Sequence, residues 1–225
     1  MQKLSNEQLG EFYRRANGIL ERLENGGLEY NYAVSALQQV SEGKVQLNQS
    51  APATATPAIP PTILNFVKTV TIPATTEKFV AGRNFLLKQD GGICSYLGDN
   101  FRSWFLEGDG KTEEPHAETV LRCHKFRQNS VDGPVIAELG GETVSETTLA
   151  EMLALLKKQA NGQKGALMTS GYANIFYVRD QFGILRAVGA YWDDGGWSVY
   201  ASAVSSPDAW YAGSQGFSRN PSGSL

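Results

Sequence analysis

The sequence predicts an α+β fold: a mainly antiparallel sheet with one long packed helix, preceded by an N-terminal αα-hairpin. Three observations carry this. Short β-rich runs punctuated by Gly, Asp and Asn begin at Ile63, and one amphipathic helix interrupts them after Thr148. The uncharged stretch Ala51–Pro61, APATATPAIPP, separates that texture from everything before it. With four prolines and Ile59 as its one large apolar side chain, the stretch stays extended and buries too little surface to fold alone. The expected organisation is a helical hairpin over residues 1–44, a spacer over 45–62, and an α+β domain over 63–225.

Ser5-Asn6-Glu7-Gln8 has the form of a capping box, in which the Ser5 hydroxyl accepts from the Gln8 backbone N–H and Gln8 reaches back. Leu9, Phe12, Ala16, Ile19 and Leu23 follow as one apolar stripe, and Asn25-Gly26-Gly27 stops the helix. A second helix is predicted over 31–42, with Ala33, Ala36, Leu37 and Val40 on one face and Gly43 as its stop. Such a hairpin has too few large apolar side chains to stand alone. Its stripe needs a partner, which is either the chain's own downstream domain or, through recruitment, a protein partner or a second copy in self-association through these helices.

In the domain, strands are predicted over 66–72, 79–87, 102–106, 119–126, 174–179, 185–192 and 197–204. Gly91-Gly92, Asp99-Asn100 and Asp109-Gly110 mark turns between the earlier ones. Thr148 and Glu151 make a capping box, Leu149, Met152, Leu153 and Leu156 an apolar face, and Lys157 and Lys158 a basic C-terminal turn. Asn161-Gly162 ends this helix. The last three strands are expected to form an antiparallel meander. Along the final one, Trp197, Val199, Ala201 and Ala203 point one way, and Ser198, Tyr200 and Ser202 the other.

Bulk properties exclude some classes. A net charge of −3 over 225 residues gives no broad attraction to nucleic acid or anionic lipid. Two cysteines are far from a disulfide framework, and the N-terminus has no apolar signal region. No run is long enough to span a bilayer. The expectation is a cytoplasmic protein without membrane contact and without a cofactor.

Pro115-His116-Ala117-Glu118 resembles the His-x-Glu element of zinc-dependent nucleobase deaminases, in which the His binds the metal and the Glu shuttles protons. The Pro-Cys-x-x-Cys element those enzymes need is missing. His116, Glu118 and Cys123 are nonetheless the candidate catalytic residues for a small metal-assisted hydrolase or deaminase-like enzyme. His116 and His124 are the candidate metal ligands. Cys123 and His124 are adjacent, so on a strand they face opposite ways. A further alternative is single-stranded nucleic-acid binding by Lys88, Arg102, Arg122, Lys125 and Arg127 interleaved with Phe101, Trp104 and Phe126.

The stretch Ala190–Asn220 is rich in Trp, Tyr, Ser, Gly, Ala and Asp, the palette of adaptable contact surfaces. Ser198, Tyr200, Ser202, Trp210 and Tyr211 are the candidate binding residues. Its composition is similar to that of variable ligand-binding proteins of diversity-generating retroelements, without their C-type-lectin-like pattern. The strings VDGPVIAELGGE (Val131–Glu142), YANIFYVRD (Tyr172–Asp180) and WDDGGWSVYA together resemble an uncharacterised bacterial protein family over about Thr69–Asn220. That resemblance implies no activity and no site residues. The leading expectation is therefore a non-enzymatic binding or adaptor protein, whose hairpin assembles or docks and whose domain presents an aromatic surface.

Overall fold

The computed structural model describes residues 62–219 except 109 and 194, all within the unit Ile59–Leu225. The αα-hairpin expected over 1–44, and the spacer over 45–62 apart from Thr62, lie outside the described residues. The elements run β1 (Leu64–Ile72), β2 (Phe79–Val80), α1 (Ala81–Asn84), β3 (Cys94–Leu97), α2 (Asp99–Phe101, continued as a π-turn over Arg102–Leu106), β4 (Thr112–Glu113), β5 (Thr119–Phe126), α3 (Asp132–Leu139), α4 (Glu142–Ser145), α5 (Leu149–Lys158), β6 (Asn174–Arg179), β7 (Leu185–Asp193), β8 (Gly196–Ala203) and β9 (Gln215–Arg219).

A seven-stranded sheet in the order β1-β5-β9-β6-β7-β8-β3 organises this unit. The pairings are antiparallel except β6 with β9 and β8 with β3, so the fold is mixed α/β on a mostly antiparallel sheet. β6, β7 and β8 form the meander that the turn residues predict. Asn174–Arg179 reads NIFYVR, with no polar alternation, because β6 lies mid-sheet and is covered on both sides.

Each face has its own core. Phe176, Val178, Val188, Trp197, Val199 and Phe217 meet α5 on one side. Leu149, Met152, Leu153 and Leu156 of that helix are buried there, each contributing about 1.5–3 kcal/mol of apolar transfer. The other parity of the same strands, Ile175, Tyr177, Leu185 and Ala187, packs with Val135 and Leu139 of α3. Farther along that second face, Trp210 from the β8–β9 connection lies over β7. An added Cβ at Gly189 would sit 3.2 Å from the Trp210 ring, so this position in β7 allows the indole to approach the sheet.

The α5 N-terminus is satisfied twice over. Thr148 and Glu151 form the expected capping box. Glu113 of β4 accepts from the N–H groups of Leu149 and Ala150 at 2.9 and 2.8 Å, placing a carboxylate at the positive end of the helix dipole. Arg219 closes the cluster with a bidentate pair onto Glu151.

Several expectations need correction. The helix expected to be long is only ten residues. The strand expected over 79–87 pairs for two residues and then turns into α1. The strand expected over 102–106 is helical. Phe101 and Phe105 are both fully buried and lie four apart, which is a helical period. The hairpin and strand signals also passed over β3, α3 and β9. β9 follows Gly213-Ser214 and has only Phe217 as a large apolar residue. Among the described residues, no helix is long and apolar enough to cross a membrane.

Candidate functional site

The second face is completed differently along its length. α3 packs over Leu64 of β1, Phe126 of β5, Ile175 of β6 and the first residues of β7. Its Glu138 carboxylate accepts from the Ile63 and Leu64 N–H groups at 2.8 and 2.9 Å. Over β7 and β8 the cover is the connection leading to β9, and it leaves a cleft of about 270 Å³. Tyr172, Tyr191, Tyr200, Trp210 and Tyr211 form its aromatic wall, and Asp208 supplies a carboxylate. Small side chains, Ala187, Ala201 and Ser202, form the floor on β7 and β8.

Strand periodicity positions the rings. Tyr191 shares a face with Ala187 and Gly189, and Tyr200 with Ser198 and Ser202. The Tyr191 and Tyr200 rings meet edge to face, with centroids 5.8 Å apart and an interplanar angle of 82°. Tyr96 of β3 extends the row, 5.4 Å from Tyr200. Tyr172 enters from the segment before β6. That segment is tied down by a buried amide cluster: Asn174 donates to the Met168 carbonyl, and Gln215 donates to Asn174 Oδ1. Gly213, at φ +98°, packs so closely under Tyr172 that an added Cβ would lie 2.8 Å from its ring.

Trp210 is held from behind by Asp132, the first residue of α3. Its indole N–H donates to Asp132 Oδ1 at 2.6 Å, and the buried Tyr177 hydroxyl donates to the same oxygen at 2.8 Å. Burial pushes the Asp132 carboxyl above the usual carboxylate range, and the two hydrogen bonds only partly offset it. The Trp210 backbone also exchanges both hydrogen bonds with Ser130. The ring is therefore fixed in place before any ligand arrives. Burial, followed by the Asp193 charge, raises the Tyr200 phenol, and burial raises Tyr191, so both hydroxyls stay protonated near neutral pH.

Four of the five candidate binding residues, Tyr200, Ser202, Trp210 and Tyr211, thus converge on one cleft. Ser198 does not reach it. It is buried and donates to Asp193 Oδ1 at 2.5 Å, with Ser95 beside it at 3.1 Å. Sequence reasoning passed over Tyr172, Tyr191, Asp208 and Asp132. Period two along β7 was the available signal for Tyr191. Asp132 carried none, because its partners lie 45 and 78 positions away.

The candidate catalytic and metal residues are not brought together. His116 and Glu118 lie in the loop before β5, and His116 Nδ1 sits 2.8 Å from the carbonyl of its neighbour Ala117. His124 lies about 17 Å farther along the chain at strand rise from Thr119. Cys123 points into the α5-side core and donates to Gln215 Oε1, and burial pushes its thiol up to about 11, which disfavours the thiolate at neutral pH. His124 faces the other way, beside Phe66 and Ser218, and burial with Arg122 pushes it down to about 4. Among the described residues no three His, Cys, Asp or Glu side chains are grouped to hold a metal ion.

The basic and aromatic residues considered for nucleic acid are likewise dispersed. Phe101 and Phe126 are buried in opposite cores, and the Trp104 ring lies under the Arg186 guanidinium, 3.8 Å from its centroid. No protein-family model, curated protein or solved structure is matched by this chain.

Proposed function

We propose that the protein is a non-enzymatic binding or adaptor protein, and that the cleft between β7, β8 and the β8–β9 connection is its contact site. One observation carries the reading: five aromatic side chains from four separate chain segments converge on a concavity, and one of them, Trp210, is locked by a buried carboxyl. Concave, largely apolar sites with a few polar groups are where ligands bind. The cleft has a floor of Ala and Ser and holds no activated nucleophile or paired acid and base. A binding role therefore suits it better than catalysis.

The assembly or docking role of residues 1–44 belongs to the same reading and rests on their sequence. A cytoplasmic setting fits the two free, buried thiols, Cys94 and Cys123.

The test uses protein labelled with 5-fluorotryptophan. It carries four tryptophans, of which Trp210 lines the cleft and Trp197 is fully buried elsewhere. Panels of monosaccharides, nucleosides, organic cations and proline-rich peptides are titrated while fluorine shifts are followed. At least one class is expected to shift Trp210 saturably and leave Trp197 in place. If none does, the binding reading fails.

A further inference from the structure

We infer that the cleft takes a methylated ammonium group, carried on a small molecule or on a modified lysine side chain. The inference rests on the binding reading above and names the chemistry of the ligand. Three features select it.

The first is charge. Asp208 lines the cleft, and Asp193 lies with Tyr191 and Tyr200 in the adjoining depression, whereas no Lys or Arg lines either. One Asp208 oxygen accepts from the Ser206 hydroxyl at 3.2 Å, and no ion pair among the described residues uses its carboxylate. Phosphates, sulfates and acidic peptides are repelled by this arrangement. A cation is attracted.

The second is ring geometry. Sugars stack on one flat aromatic platform, but Tyr191 and Tyr200 stand at 82° to each other, so their faces look in different directions. Walls set at an angle suit a compact group that offers methyl surfaces on several sides. The face of each neutral ring is the negative end of its quadrupole, so each wall attracts positive charge as well as apolar surface.

The third is size. A volume of about 270 Å³ falls below the ~300–1,000 Å³ typical of drug-sized ligands, which matches a head group better than a whole oligosaccharide or peptide.

Cation–π attraction acts at each aromatic wall at once, so charge is expected to change affinity by roughly tenfold or more.

The experiment titrates the full chain with choline chloride and with 3,3-dimethylbutan-1-ol, its neutral isostere, reading the Trp210 fluorine shift. Choline is expected to bind at least tenfold tighter. Asp208→Asn is expected to weaken choline several-fold and leave the isostere unchanged, and Tyr211→Ala to weaken both, with circular dichroism verifying each fold. A short peptide carrying trimethyl-lysine, run beside its unmodified form, distinguishes the two sources: tighter binding of the methylated peptide than of choline assigns the ligand to a protein tail, and the reverse to a small molecule. Equal binding of choline and its isostere, or a Trp210 response to sugars alone, overturns the cation assignment and leaves the binding site standing. No response of Trp210 to any compound overturns both.

Discussion

The two faces of the sheet are built from the same strands but finished by different means. On one face, α5 lays Leu149, Met152, Leu153 and Leu156 across the sheet, and the result is a buried apolar core that includes Phe176 and Phe217, stacked at 4.5 Å. On the other, α3 covers part of the sheet and a loop covers the rest. There the loop's Trp210 is held by hydrogen bonds as much as by packing. The difference teaches that a helix gives continuous apolar cover, whereas a loop has to be pinned residue by residue and leaves gaps. In this protein the gap is the candidate site.

The largest expected effect tests the helix-covered face. Phe176→Ala removes a fully buried ring that packs face to face on Phe217, and a loss of about 3–5 kcal/mol is expected in urea unfolding. A loss under about 1 kcal/mol would mean that this face is not the main source of stability, and the contrast between the faces would collapse.

The next tests the pin. Asp132→Ala leaves the Tyr177 hydroxyl and the Trp210 indole without their shared acceptor, at an expected cost of about 2–4 kcal/mol. Asp132→Asn keeps an acceptor oxygen and removes a charge that burial disfavours, so it is expected to stay within about 1 kcal/mol of the parent at neutral pH. The raised carboxyl also gives a pH signature. Its contribution is fully present below the ordinary aspartate range and declines as pH rises through the higher folded value, and the Asn variant lacks that decline. Equal losses for Ala and Asn would show that the carboxyl's charge matters and its acceptor role does not.

How legible each face was follows from the same contrast. The α5 cap, its apolar face and the β6–β8 meander are local features, set by residues three or four apart or by turn residues, and they stand in the structure where periodicity places them. Tyr200 and Ser202 were legible by period two. The burial of Ser198 was not, because it depends on Asp193 across a turn and on Ser95 of β3, 103 positions away. The π-turn at Arg102–Leu106 misled because five residues, RSWFL, fit either period, and tertiary burial of Phe101 and Phe105 decided it. Long-range partners, such as Glu113 for α5 and Asp132 for Trp210, leave no local trace in a sequence.

A smaller effect marks the α3 side of the second face. His124 is half-buried between Phe66 and Ser218, with Arg122 and Glu138 as the nearby charges. Burial first, then Arg122, pushes its imidazole down to about 4, while Glu138 acts in the opposite direction. The unfolded chain therefore binds the proton more readily. Stability is full above about pH 6.5 and falls as pH drops toward about 4. The imidazole keeps some solvent contact, so a loss on the order of 1–2 kcal/mol is expected. His124→Asn should remove that slope in urea unfolding followed from pH 7 to pH 4; an unchanged slope would assign it to other groups.

The smallest stability effect probes the open cleft itself. Tyr211 is 71% exposed, and its ring forms part of the cleft wall without a core partner. Tyr211→Ala removes a ring that is already largely hydrated, so unfolding should shift by no more than about 0.5 kcal/mol. The same substitution strips one aromatic face from the cleft, so its effect on binding should exceed its effect on stability. Phe176→Ala is expected to do the reverse, costing most of its effect in stability. If Tyr211→Ala costs more than about 1 kcal/mol in urea unfolding, the loop is supported by that ring. The cleft would then be a loosely packed extension of the core, and the distinction between a finished face and an open one would not hold.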